Sequence, residues 1–417
     1  MSWSGGGFFG SAINAPARPA PSIQAAPANQ AAGVAELDQL RERVRVIYDQ
    51  GRLAEAVEAQ TTVLARAKAA GTCRPEDFLF AGLMMHAVWR DADGIAILRE
   101  AANLYPGNDV VWENLGVLLL SSNALAEAIE ACEQALALGS HSANVLDCLA
   151  EAQQRSGRPD LAVESGRAAL IAKDRHFGAA APVVALPATL PPPFNPGRPE
   201  ENVIAYTLWG NQPRYHVPLL ENVRIRPHLF PAWSIRVYHD HTVNAAYLGE
   251  LAKSSVQLHP MRLAASEPPH RALLWRFEVI ADPTVRRFLV RDADSLLTVK
   301  ERVAVDAWLH TDFHFHAMRD WYTHTDLLLA GMWGGVGGLL PAPSDLLRAF
   351  RPWRVETNHI DQDLLSSTVW PLARQSILIH DSIFQPCLGS VAFPPYGTLP
   401  PGQHIGENAF VHFSKAG

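Results

Sequence analysis

Two patterns of apolar spacing divide the chain. Up to about residue 176, apolar and small residues return at helical spacing, and the turn-forming stretches "DQGRL", "RDADG", "SSNAL" and "RSGRP" interrupt them. From Asn202 the pattern changes to short apolar runs alternating with helical ones. "NVIAYTLWG" predicts a strand ending at Gly210, and "HVPLLENVRIRPHLF" a helix. "SIRVYHD", "RRFLVRDAD" and "DFHFHAMRD" predict further strands. Strands alternating with helices imply an α/β domain with a largely parallel sheet.

The first region repeats. Trp112, Leu115, Gly116, Leu119, Ala128 and Cys132 fit the W-x2-L-G…A-x3-F pattern of the tetratricopeptide repeat, with Leu for Tyr and Cys for Phe. A shift of about 34 residues back reaches Phe78, Ala81, Gly82, Met85, Gly94, Leu98 and Pro106. The same shift forward reaches Leu146, Leu149, Ala150, Ala162 and Ala169. "QGRLAEAVEAQTTVL" matches "SNALAEAIEACEQAL" about four residues out of phase, which implies a short insertion near "AAGTCRP". Residues 37–176 therefore read as a helical solenoid of four imperfect units, a surface for a protein partner or acceptor. Residues 1–36, rich in Ala, Pro and Gly, read as a disordered tail. Residues 177–201, rich in Pro, read as a linker or an irregular wrap.

Composition narrows the function classes. A chain of 417 residues has room for two cores. The formal net charge of −7 and the lack of a basic run argue against nucleic acid. Cys73, Cys132, Cys148 and Cys387 show no CxxC spacing and read as free thiols in a reducing, cytoplasmic setting. Two uncharged stretches are long enough to test as membrane spans. Residues 178–197 hold six prolines and residues 327–344 five glycines, so neither predicts a spanning helix.

The chemistry gathers at "RFLVRDADSLL", residues 287–297. A buried strand runs straight into Asp292 and Asp294. Two carboxylates facing one point repel each other, and a divalent cation removes the conflict. Hard oxygen ligands suit Mn2+ or Mg2+, with substrate phosphates completing the shell.

"RDADS" after an apolar strand resembles the Asp-x-Asp motif of GT-A glycosyltransferases. Three further segments follow in the order of the retaining family that contains glycogenin and bacterial lipopolysaccharide galactosyltransferases. They are "LLAGMWGG" at 328–335, "HIDQDLLSS" at 359–367 and "LIHDS" at 378–382. The resemblance implies a GT-A-like, Rossmann-like domain over residues 202–417 that uses a nucleotide-sugar donor, UDP-linked, and a glycan or protein acceptor. It implies Asp292, Asp294 and His380 as metal ligands. Gly210 and Asn211 would approach the nucleotide, and Gly331, Gly334 and Gly335 would leave room for the sugar. Asp361, Gln362 and Asp363 would line the reaction face. The family often places a diphosphate-binding Lys shortly after its metal-binding His, but here Asp381, Ser382 and Ile383 follow His380. The guanidinium groups of Arg276, Arg291 and Arg319 are candidates to replace that Lys. The missing Lys also supports a competing reading, a repeat scaffold carrying a degenerate, non-catalytic sugar-nucleotide domain.

Overall fold

The computed structural model describes residues 28–264, 267–351 and 358–410, and the chain forms two compact units that meet in sequence between Ser165 and Gly166. The first unit is built from antiparallel helix pairs of the tetratricopeptide type. They are α1 (Ala28–Asp49) with α2 (Leu53–Ala70), α3 (Pro75–Ala87) with α4 (Asp91–Leu104), and α5 (Asp109–Ser121) with α6 (Leu125–Ala137); α7 (Ala143–Arg155) and α8 (Pro159–Phe177) follow in sequence. Helices α3, α5 and α7 begin at 75, 109 and 143, and α4, α6 and α8 begin at 91, 125 and 159, so both series keep a 34-residue step. Helix α2 begins at 53, which is 38 residues before α4, and the extra four residues are the inferred insertion.

Close helix approach explains the small residues. A Cβ on Gly82 would lie 3.0 Å from Leu98 Cγ, and one on Gly116 would lie 2.6 Å from Cys132 Sγ. Leu98 and Cys132 are themselves 34 residues apart, so one packing contact recurs from unit to unit. Phe78, Leu98, Val111, Leu118, Cys132 and Cys148 are fully buried in the continuous core. A bidentate pair from Arg41 Nε and Nη2 to the two oxygens of buried Asp77, at 2.7 and 2.6 Å, ties α1 to α3. Residues 28–36, expected in the disordered tail, belong to α1. Their Ala-rich sequence propagates a helix that Leu37, Val44 and Ile47 anchor. Residues 1–27 of the expected tail lie outside the described residues.

The second unit begins inside α8, earlier than the expected boundary at 177. From Gly166 that helix packs within the α/β unit. Arg167 Nε donates to Phe384 O at 3.0 Å, and Asp174 accepts from Trp370 Nε1 at 2.8 Å and from Arg374. The Pro-rich segment that follows is the irregular wrap. Thr189 O accepts from His314 Nε2 at 3.1 Å, and Phe194 stacks on Trp233.

A seven-stranded sheet forms the core of this unit. Its strands are β1 (Asn202–Leu208), β2 (Ser234–His239), β3 (Gln257–Pro260), β4 (Arg287–Arg291), β5 (Phe315–Arg319), β6 (Met332–Val336) and β7 (Ile377–Asp381), in the order β3-β2-β1-β4-β6-β5-β7. Only β6 is antiparallel to its neighbours. Every residue of β1, β4, β5 and β6 is buried, as a sheet covered on both faces requires. Helices α9 (Pro213–Leu229), α10 (Ala245–Lys253), α11 (Val299–Leu309) and α12 (Pro343–Ala349), and a 3-10 segment at Pro269–Ala281, connect the strands. A last helical stretch starts with α13 (Ile360–Leu364) and widens into a π turn at Leu365–Val369. The chain lays β1, β2 and β3 outward in one direction and then places β4 on the other side of β1. The direction of build-up thus reverses at β1 and β4, and open sheets of this kind take ligands beyond the carboxyl ends of the strands at such a point. Among the described residues, no helix is long and apolar enough to cross a membrane.

The recurring small-residue contact sets a prediction. Gly116→Val must push Cys132 aside and should lower the stability of the repeat unit by about 1–3 kcal/mol, read as a lower urea midpoint of helical circular dichroism. An unchanged midpoint would show that the contact does not constrain the packing.

Candidate functional site

Asp292 and Asp294 follow β4 at its carboxyl end. Arg276, from the 3-10 segment, lies beside them with its side chain 2% exposed. Its Nη1 donates to Asp292 Oδ1 and, at 3.0 Å, to Arg291 O. Its Nη2 donates to Asp361 Oδ2 on α13 at 2.7 Å. One guanidinium thus joins two carboxylates that are 69 residues apart in the chain. A charge buried this deeply persists only when it is paired and hydrogen-bonded. Burial opposes the charge on Arg276, and the two carboxylates more than offset it, so its pKa rises. Burial pushes the Asp361 carboxyl up, with Arg276 pulling the other way.

Two more expected residues join this cluster. Gln362 Oε1 accepts from Ala330 N at 3.1 Å. A Cβ on the adjacent Gly331 would lie 1.9 Å from Asp292 Oδ2, so the carboxylate occupies the space that a side chain would fill. Asp363 is buried on the same helix as Asp361.

Asp294 pairs elsewhere. Arg214, in the first turn of α9, donates to its Oδ2 from Nε at 3.0 Å and from Nη2 at 2.7 Å. Burial raises the pKa of Asp294, and the nearby charge of Asp292 raises it further. Sequence reasoning missed Arg214, whose only signal was a cation placed just after the Gly210–Asn211 turn. At that turn Gly210 has φ +69°, and open space lies where its Cβ would be. Gly210 N donates to Thr242 Oγ1 at 2.7 Å, and Asn211 Oδ1 accepts from Asn244 N at 2.7 Å. Asn211 therefore braces the loop after β1 against the loop after β2.

Other expected residues have different places. Val290, Trp333, Ala317 and Ile379 form one row across β4, β6, β5 and β7. At about 4.8 Å per strand, the His380 end of β7 sits roughly 14 Å from the carboxylate pair. The His380 ring hydrogen-bonds His316, with Nδ1 to Nε2 at 2.9 Å, and His316 stacks on Trp308. The metal set of Asp292, Asp294 and His380 is thus not assembled, and among the described residues no three His, Cys, Asp or Glu side chains are placed to hold a metal ion. Arg291 is turned into the sheet, paired with Glu301 and bonded to Val290 O at 2.7 Å and Trp333 O at 3.0 Å. Arg319 is buried and donates to Asp326 O at 3.1 Å and Leu327 O at 2.8 Å. Gly334 and Gly335 belong to β6. Cβ atoms there would strike Phe288 O at 2.5 Å and Phe315 Cδ1 at 2.7 Å, so these glycines serve sheet packing and not a sugar pocket.

Asp292 and Asp294 are each held by an arginine, Asp292 by Arg276 and Asp294 by Arg214. Both are oxygen donors on one short loop, and Gly331 leaves Asp292 its room. A Mg2+-type ion completes its shell with water and phosphate oxygens. The imidazole of His380 does not belong to that set. The last described stretch returns to the same place, with Ala409 N donating to Asp294 O at 2.8 Å.

No family model and no curated protein matches the chain. Among solved structures, a mutant of the Thermobaculum terrenum O-GlcNAc transferase is 19% identical over 57% of this chain and 42% of its own, with a TM-score of 0.35. The chain therefore spans less than half of that protein's length. A structure of MamA is 19% identical over 34% of this chain and 80% of its own, with a TM-score of 0.31. YrrB, described as a TPR protein with an unusual peptide-binding site, is 15% identical over 36% of this chain and 84% of its own, with a TM-score of 0.29.

The buried histidine pair generates a pH prediction. Burial lowers the His380 pKa to about 4 from the usual 6.5. Between those values the folded state binds fewer protons than the unfolded one. The stabilisation is therefore complete above pH 6.5 and is lost as pH falls toward 4, by about 3 kcal/mol in all. His380→Gln, which cannot titrate there, should flatten this part of the acid limb in denaturant melts between about pH 7 and 4. A limb as steep as that of the wild type would show that His380 does not carry it.

Proposed function

We propose that the α/β unit is a glycosyltransferase domain that moves a sugar from a nucleoside-diphosphate donor, UDP-linked, to a hydroxyl acceptor. In this reading the helical repeats dock the acceptor or a partner protein. One observation carries the proposal: Arg276, Asp292, Asp361, Gln362 and Gly331 come together just past the carboxyl end of β4, the neighbour of β1. The GT-A-like character and the retaining outcome rest on the motif resemblance.

Asp292 and Asp294 would hold Mn2+ or Mg2+, which when bound neutralises charge on the leaving diphosphate. The remaining work falls to the chain's own side chains. In the transfer, the acceptor oxygen bonds to the anomeric carbon as the bond from that carbon to the phosphate oxygen breaks. The electron pair leaves with the diphosphate, and the hydroxyl proton follows it. Asp361 and Gln362 stabilise positive charge at the sugar ring, and preorganised polar groups are effective there because they need no rearrangement. Arg276 sets the position of Asp361 and Asp292 relative to each other. The alternative, a repeat scaffold with a non-catalytic domain, draws support from the arginine partners of both acids and from the remote place of His380.

A donor screen separates the two readings. Nucleotide sugars are incubated with the full chain and Mn2+, and released nucleoside diphosphate is measured. The expected result is turnover of a UDP-sugar that falls about 100-fold or more in Asp292→Asn and Gln362→Ala. If no donor is turned over and UDP does not bind, the scaffold reading stands instead.

A further inference from the structure

We propose that the repeat unit pairs with a second copy of this chain, each copy seating its Trp89 in an apolar hole of the other. The inference does not depend on the donor-site reading above. It starts from a turn. Gly51, Trp89, Asn123 and Gly157 each stand two residues past the end of α1, α3, α5 and α7, at steps of 38, 34 and 34 residues. Their φ angles are 74°, 61°, 61° and 74°. Each donates its N–H to the carbonyl three residues back, of Tyr48, His86, Leu120 and Gln154. Glycine and asparagine suit this left-handed backbone, and a bulky side chain is strained in it. Trp89 takes the strained place and is 89% exposed, so packing within the chain does not offset the strain. Strain kept by a large aromatic in water points to a contact made outside the chain.

The same part of the solenoid carries a second departure from the repeat. A cavity of about 200 Å³ lies among α2, α3 and α4, lined by Val57, Leu64, Met84, Met85 and Ile97, with exposed Thr61 beside them. One repeat on, the equivalent cavity among α4, α5 and α6 is walled by Arg99, Glu127 and Glu130. Arg99 there takes the position of Thr61, 38 residues earlier. The polar groups of the first cavity are already bonded to main chain. Gln60 Nε2 donates to Asp77 O at 2.7 Å, and Thr61 Oγ1 donates to Val57 O at 2.8 Å. The hole therefore suits an apolar guest. Apolar cavities of about 150 Å³ take benzene, so this one has room for an indole. The hydroxyl of Thr61 keeps lone pairs to accept from the indole N–H, and methionines adapt to the shape of a guest. Trp89 follows Met85 by four residues, so knob and hole share one edge of the unit. A two-fold axis at that edge sets both knobs in both holes at once and closes the pair. Two indoles and the walls that cover them, at up to about 250 Å² each, give roughly 1,000 Å², the size of a weak but specific interface.

The pairing predicts effects of opposite sign for one substitution. Trp89→Asn copies the residue of the next repeat and relieves the strain. In dilute solution, where the chain is monomeric, it should raise the urea midpoint of the repeat unit. At micromolar concentrations, sedimentation equilibrium of the full chain should show a monomer–dimer equilibrium that Trp89→Asn weakens about tenfold or more. Thr61→Arg, which copies the next repeat at the mouth of the hole, should weaken it as well without lowering the urea midpoint. A wild type that stays monomeric, or a dimer unaffected by Trp89→Asn, overturns the inference. A lower midpoint in Trp89→Asn would show that Trp89 serves the fold instead. Loss of the dimer in Trp89→Asn but not in Thr61→Arg would place the knob against another surface and overturn the pairing.

Discussion

The guanidinium of Arg276 between Asp292 and Asp361 is the interaction on which the site depends. A buried arginine without partners would destabilise the fold by several kcal/mol, so the chain around it must deliver two carboxylates to fixed points. That requirement joins the end of β4 to the start of α13. It also accounts for Gly331, whose missing side chain admits the carboxylate of Asp292. The sheet supplies the frame, since β1 and β4 are the neighbours between which the chain reverses direction.

Charge at this rim is arranged in pairs that differ in depth. Arg276 and Asp361 are buried, with side chains 2% and 7% exposed, and Arg214 and Asp294 lie nearer the surface. The deep pair organises the shape, because breaking it would strand a charge in a low-dielectric interior. The shallow pair is cheaper to separate, because solvent screens its members. Ala409, bonded to the Asp294 carbonyl, brings the last described stretch to the same rim.

Much of this was legible in the sequence. The runs at β1, β2, β4 and β5 show as apolar stretches because both faces of the sheet are covered. The 34-residue step of the repeats shows because the same helix contact recurs, from Gly82 and Leu98 to Gly116 and Cys132. Arg276, Asp292, Asp361 and Gln362 were all singled out, and they meet. What escaped were facts of strand order. Motifs in the right sequence placed His380 near Asp292, yet β6 and β5 lie between their strands. Gly334 and Gly335 looked like a sugar pocket, but their smallness answers to Phe288 and Phe315. Arg214 carried little signal beyond its place after the Gly210–Asn211 turn, since its partner lies 80 residues away and only the pairing of β1 with β4 brings the two together.

Where a nucleoside diphosphate binds decides between a donor site and a bare scaffold. The most direct measurement is a crystal structure of the full chain soaked with UDP and Mn2+. The expected result is diphosphate density at the carboxyl ends of β1 and β4, against Asp292 and Asp294, with Arg276 and Asp361 still joined beside it. Density at any other place on the α/β unit, or an empty rim at saturating UDP, would contradict the assignment.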